Sequence, residues 1–338
     1  MDLQTAWFGL FGTLIIGYAV LDGFDLGVGA LSLLARDDTE HRLHLNAVGP
    51  VWDGNEVWLL TAGGALFAAF PPVYATVFSG LYLALMLLLV ALIARAVSFE
   101  FRSKVASPRW RAAWDLAFGL GSLVPPVLFG VAVGNILRGL PLDPEREFAG
   151  SFLGLLTPFP LLVGLLSLCT FVAHGAAYMA LKSEGALCDR MHAWALRAWA
   201  AWTTLFLAAS AAAPFVSPFL FQGTLSRPLL WLSLALTIAG LGLFPLAIRA
   251  RSYARAFLAS STAIFGTIAL AGTSLYPRLV PALGNLDRSL TVYNASSTPR
   301  TLTVTLVIAL AGMPLVVGYT AFIYRTFKGK THLGPHSY

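Results

Sequence analysis

Long apolar runs, separated by short polar or proline-containing joints, organise this chain from end to end. Crossing a bilayer as a helix takes roughly 20 apolar residues. Nine stretches have that character, at about 7–34, 51–70, 73–98, 112–136, 152–181, 190–213, 229–248, 256–276 and 303–327. None shows the strict alternation of a membrane β-strand, and a backbone in lipid must satisfy its own hydrogen bonds, so the runs predict helices. Only Pro71 and Pro72 part the second run from the third, which predicts a tight hairpin there.

A shift of 148 residues carries Arg42-Leu43-His44 onto Arg190-Met191-His192 and Gly27 onto Gly175. The same shift lays the first four helices approximately on the next four. The expected fold class is an all-α integral membrane protein whose nine transmembrane helices form two four-helix bundles plus one peripheral helix. The halves are 1–136 and 152–276, with the ninth helix at 303–327, all within a single polytopic domain spanning 1–338. A four-helix unit is even, so both halves keep the same orientation in the membrane, unlike the inverted repeats of many transporters.

Composition agrees. The 338 residues are 57% hydrophobic and 11% charged, against about a quarter charged in a soluble domain. The formal net charge of +6 could point to nucleic acid, but its cations sit between apolar segments as topology signals do. Sixteen of the 22 Lys and Arg residues fall in the joints after helices 1, 3, 5 and 7, in the helix ends beside those joints, or towards the C-terminal tail. The positive-inside rule makes that side cytoplasmic, with the N-terminus outside and the C-terminus inside. The first segment lacks a basic n-region and a small-residue cleavage site, so it is expected to be a retained helix. Cys169 and Cys188 read as packing residues, not as a redox or metal pair.

Polar residues inside the apolar runs carry the candidate chemistry. In GYAVLDGFDLGVGAL, Asp22 and Asp25 are three apart and share a helix face, beside a Gly23/Gly27 pair that admits a close neighbour. In VWDGNEVW, Asp53 and Glu56 repeat that spacing, with Asn55 between them and Trp52 and Trp58 at the flanks. A carboxylate at mid-membrane costs about 2.5–3.5 kcal/mol on insertion scales. Interface capping by Asp53 is the competing account, but two carboxylates and an amide in one turn exceed what a cap requires. Arg95 is then the expected counter-ion, with snorkelling to the interface as its alternative. Glu100 is a candidate entrance carboxylate for protons, and Asp115 reads as a first-turn dipole partner.

Of six histidines, only His174 lies well inside a helix. His41, His44, His192, His332 and His336 fall in loops, helix ends or the tail. A bis-histidine haem needs two residues facing one another, so His174 is expected to be hydrogen-bonded or a relay, and no metal ligand is assigned.

These pieces together resemble subunit II of the cytochrome bd-type quinol oxidases, including the cyanide-insensitive branch. The resemblance runs through YAVLDGFDLGVGAL, GPVWDGNEVWLLTAGGALFAAFPPVYATVFSGLYLAL, LIARAVSFEFRSK and WDLAFGLGSLVPPVLFGVAVGN. It is nearly continuous from about 18 to 135 and is a matter of helix pattern beyond. It implies a bacterial inner-membrane, multi-pass subunit in a heterodimer with a homologous subunit I. That partner would hold two haem b and one haem d, oxidise ubiquinol and reduce oxygen to water without pumping. This chain would hold no haem and would not be catalytic alone. The resemblance places a proton pathway on Asp25, Asp53, Arg95 and Glu100, although Asp is usual at the last position. Trp58 matches a tryptophan at a lateral oxygen entrance, while Asp22, Trp52, Asn55 and Glu56 are supporting polar or aromatic neighbours. A structural quinone or lipid and a small accessory membrane subunit are left open. A proton-coupled secondary transporter and a purely structural membrane subunit are the alternative readings.

Overall fold

The computed structural model describes residues 2–334; His336 lies outside the described residues. Eleven α-helices account for most of the chain: α1 Leu3–Ser32, α2 Asp38–Val48, α3 Trp52–Ala69, α4 Pro71–Gly80, α5 Tyr82–Phe101, α6 Pro108–Arg138, α7 Pro158–Lys182, α8 Gly185–Val216, α9 Pro228–Arg249, α10 Tyr253–Leu275 and α11 Pro299–Thr326. Among the described residues, eight helices are long and apolar enough to cross a membrane. The one expected span that falls short is α3, because its first turns carry Asp53, Asn55 and Glu56. The all-α membrane class stands, and the count of nine becomes eight such helices plus α3.

The expected tight hairpin at Pro71-Pro72 is not what forms. Phe70 leaves the helical region and Pro71 opens the ten-residue α4. Helix α3 packs mainly on α1, and α5 on α6. Helix α2 was unpredicted. Asp37 caps it by accepting from the Glu40 amide at 2.9 Å, and Glu40 reaches back to the Arg36 amide at 2.7 Å, close to the reciprocal capping box.

Helix α1 is the central post, packed on α7, α6, α3 and α10. From Asp22 to Ser32 it is buried without a break. Small residues allow this: a methyl group added to Gly27 would lie 1.9 Å from the Phe171 carbonyl oxygen and 3.0 Å from the Gly175 Cα. The two glycines paired by the 148-residue shift thus face one another where α1 crosses α7. Beyond them, Phe24 stacks on Tyr178 with ring centroids 4.0 Å apart, tying α1 to α7. Helix α11 lies at the periphery, with Leu302 its one buried residue.

At the end away from the basic loops, residues 277–298 fold into a cap. Strands β1 Arg278–Val280 and β2 Leu290–Thr291 pair antiparallel there. The cap packs with Trp7, Phe70 and Leu140 in a second apolar cluster.

Candidate functional site

The two acidic pairs and Arg95 come from α1, α3 and α5, and the fold brings most of them together. Asp22 and Asp25 point from the buried half of α1, and Arg95 from α5; all three are fully buried. Arg95 Nη2 donates to Asp22 Oδ1 at 2.8 Å, and Nη1 donates to Asp22 Oδ2 at 3.3 Å. The same guanidinium lies 4.0 Å from Asp25 Oδ2 and 3.9 Å from Glu56 Oε2. Arg95 is therefore an interior charge, not a snorkelling one.

Asn55 joins the group from α3. Its amide donates to Asp25 Oδ2 at 2.7 Å and to the Leu21 carbonyl at 3.1 Å. Its own oxygen accepts from the Tyr324 hydroxyl of α11 at 3.1 Å. Tyr324 had no signal in the sequence, since a tyrosine in the last turns of a spanning helix reads as an interfacial anchor. Trp52 lies near the Arg95 guanidinium, 6.0 Å from it to the ring centroid, and stacks on Phe99 with an interplanar angle of 3°. Three carboxyls, two of them fully buried and Glu56 partly so, thus share one guanidinium and one amide.

Asp53 and Glu100 stand outside this cluster. Both are exposed, and neither forms a hydrogen bond or ion pair among the described residues. Asp53 lies on the outward face of α3, and Glu100 at the last turn of α5. Trp58 points inward instead, against Gly17, where a methyl group would come within 2.3 Å of the indole.

A separate ionic cluster closes the basic end. Arg102 donates through Nε to Asp115 Oδ1 at 2.6 Å and through Nη2 to Asp38 at 2.7 Å. Asp115 also lies 3.5 Å from His41 Nδ1. It is therefore an ion-pair partner in the second turn of α6 and not the first-turn dipole partner expected, because α6 begins earlier, at Pro108. Burial opposes the charge on Asp38, but Arg102 and Arg111 outweigh it and hold the carboxyl below its usual range. Glu40 is likewise held low against its burial, by Arg190 and the Arg36 amide. His44 is buried at this end, and burial pushes its imidazole down to about 4.

His174 is fully engaged. Nε2 lies 3.0 Å from the Val20 carbonyl, which can only accept, so Nε2 carries a proton. In the neutral ring Nδ1 then accepts from the Ser260 hydroxyl at 2.7 Å. The ring also stacks on Phe257 at 4.5 Å. Such a histidine is not posed as an axial haem ligand. No group of three His, Cys, Asp or Glu side chains among the described residues could hold a metal ion.

The profile of a family described as cytochrome bd terminal oxidase subunit II matches residues 3–327. The chain is 37% identical over 359 residues to the cytochrome bd-I ubiquinol oxidase subunit 2 of Escherichia coli K12, covering 97% of this chain and 95% of that protein. It is 33% identical over 340 residues to the cytochrome bd ubiquinol oxidase subunit 2 of Bacillus subtilis, covering 100% and 99%. In fold it is similar to a chain of the bd oxidase from Geobacillus thermodenitrificans, with a TM-score of 0.81 at 19% identity over 97% of this chain and 99% of that one.

Proposed function

Since the chain belongs to the cytochrome bd terminal oxidase subunit II family, we propose that it pairs with a haem-bearing subunit I and gives that oxidase a proton route from the cytoplasm. The complex would sit in the bacterial inner membrane, with the basic loops and the C-terminus inside. Haem in the partner would supply the electron transfer from ubiquinol to oxygen. This chain's own residues would bind that partner, hold protons and leave a way in for oxygen beside Trp58.

The observation that carries the reading is the cluster of the buried Asp22, Asp25 and Arg95 with the partly buried Glu56. A structural ion pair needs one carboxylate for one guanidinium. Here two further carboxyls, the buried Asp25 and the partly buried Glu56, share the same cation, and charge balance around one guanidinium favours protons accompanying them. Asp22 bears the two-point bond, which leaves Asp25 and Glu56 as the groups able to exchange protons. Glu100 lies five residues from Arg95 towards the basic end and would receive protons there. Asp53 is one helical turn from Glu56 and would pass them outward.

The face of α3 that carries Asp53 also exposes Val57, Leu60, Gly64 and Phe67, an apolar surface with a small residue at which another helix could approach. The partner subunit would cover it.

In the assembled oxidase, Asp53→Asn should leave haem content and assembly unchanged while oxygen consumption slows by about tenfold or more, as loss of a positioned proton-transfer group does. Loss of assembly would make Asp53 a structural residue of the interface and end the relay reading.

A further inference from the structure

At the basic end of the bundle, a cavity of about 410 Å3 opens between α7, α10, α11 and the segment that follows α11. Tyr178, Leu181 and Tyr324 contribute to its walls, and Lys182, Lys328 and Lys330 stand around it. We infer that this cavity seats an anionic phospholipid, with part of an acyl chain between the helices and the phosphate on the lysines.

The charge arrangement comes first. Lys182 Nζ donates to the Phe327 carbonyl at 2.6 Å, and Lys330 Nζ donates to the Ser183 carbonyl at 2.7 Å. The Thr331 amide donates to the Lys182 carbonyl at 2.8 Å, so the segment after α11 is folded back on the end of α7 and fixes the amines in place. An ammonium has three donors, and these carbonyl contacts leave some free. None of the three lysines is in an ion pair with a carboxylate among the described residues. Three positive charges therefore converge on one cavity with no carboxylate among the described residues to meet them.

The walls decide which anion. A free phosphate would use only the lysines and gain nothing from the tyrosine and leucine surfaces below. The cavity is of a size that binds small molecules, and it is apolar where it runs between the helices. It also lies where the helices give way to the basic loops, the level at which lysines meet lipid phosphates. A lipid satisfies walls and lysines together.

Native mass spectrometry of the complete detergent-solubilised oxidase, titrated with phosphatidylglycerol, phosphatidylcholine or inorganic phosphate, tests this. One phosphatidylglycerol beyond the number of phosphatidylcholines should be retained. Lys328→Gln with Lys330→Gln should weaken that site by about tenfold or more, given the attraction of each lysine for an anionic headgroup. Leu181→Trp, which fills the apolar part and leaves the lysines, should remove the site. Lys328→Gln alone changes an exposed side chain without a hydrogen bond, so it must assemble and should weaken the site by a smaller factor. Equal retention of the two lipids, no response to any of these substitutions, or displacement of phosphatidylglycerol by an equal concentration of inorganic phosphate would overturn the assignment.

Discussion

Arg95 and Asp22 meet through two hydrogen bonds, 2.8 and 3.3 Å long, and neither side chain reaches solvent. Removing one partner of a buried pair costs about 3–5 kcal/mol where nothing replaces it; Asp25 and Glu56, 4.0 and 3.9 Å from the same guanidinium, would offset part of that here. Asp22→Asn should therefore lower the thermal unfolding temperature of the purified complex by several degrees, with Asp22→Glu recovering part of the loss. Differential scanning fluorimetry reads both. An Asp22→Asn complex as stable as the wild type would mean that Asp25 or Glu56 takes over the guanidinium and that Asp22 does not anchor it.

The crossing of α1 and α7 gives a second expectation. Gly27 and Gly175 touch backbone to backbone, and a methyl group on Gly27 would lie far inside the contact distance of the Phe171 carbonyl oxygen. Backbone atoms cannot rotate away as a side chain can, so Gly27→Ala must push the helices apart. That also separates Phe24 from Tyr178 and loosens the contact between α1 and α7. The variant should fail to accumulate as an assembled complex in the membrane, whereas Gly12→Ala, where a methyl group meets nothing within 4 Å, should accumulate normally. Immunoblots of membranes check the pair.

Much of the bundle is legible in the sequence because hydrocarbon demands long apolar runs, and all but one of the expected segments correspond to helices that meet the membrane criterion. The phase of each helix is not legible. In water an amphipathic stripe shows which side is buried, but a helix with lipid on one face and protein on the other is apolar all round. Helix α3 shows the consequence. Its buried residues are Asn55, Trp58, Ala62, Leu66 and Ala69, and Asp53 stands two residues from Asn55, about 200° around the helix. The carboxylate most conspicuous in VWDGNEVW thus faces outward, while Asn55, between the two acids, makes the contact to Asp25. Asp22 and Glu56, read as supporting neighbours, lie closer to Arg95 than Asp53 does. Helix α2 was missed for a different reason: it is too polar to span a membrane, and its signal was the cap Asp37 with Glu40 three residues on.

His44 makes the basic end sensitive to acid. Burial holds its imidazole down to about 4 in the fold, against an ordinary value near 6.5. Between those values the unfolded chain binds more protons than the native one, so stability rises with pH and is lost as pH falls from about 6.5 towards 4. The full difference is on the order of 3 kcal/mol. The groups facing or near it are Glu40, His41 and Arg190. Glu40 is held below its usual range, by Arg190 and the Arg36 amide against its burial. Hydrogen exchange at the α2 amides should quicken as pH drops from 6.5 to 4.5, after correction for the intrinsic rate. His44→Gln should flatten that dependence; an unchanged slope in the variant would assign the effect to another group.

Asn55 offers the cleanest separation of proton traffic from packing. The Tyr324 hydroxyl donates to its oxygen, which turns its amide towards Asp25 and the Leu21 carbonyl. Tyr324→Phe removes one hydrogen bond and keeps the ring, a loss of about 1 kcal/mol. The amide contact to Asp25 can survive that change, so oxygen consumption should fall little. Asn55→Ala removes the donor itself and leaves Asp25 with only the guanidinium 4.0 Å away. If Asp25 exchanges protons, that variant should turn over more slowly and shift the pH profile of oxygen consumption, while Tyr324→Phe keeps the wild-type profile. Oxygen-electrode measurements between pH 5.5 and 8.5 on both complexes, matched for haem content, decide it. Two variants with lower unfolding temperatures and identical pH profiles would show that Asn55 only braces α3 and α11 against α1.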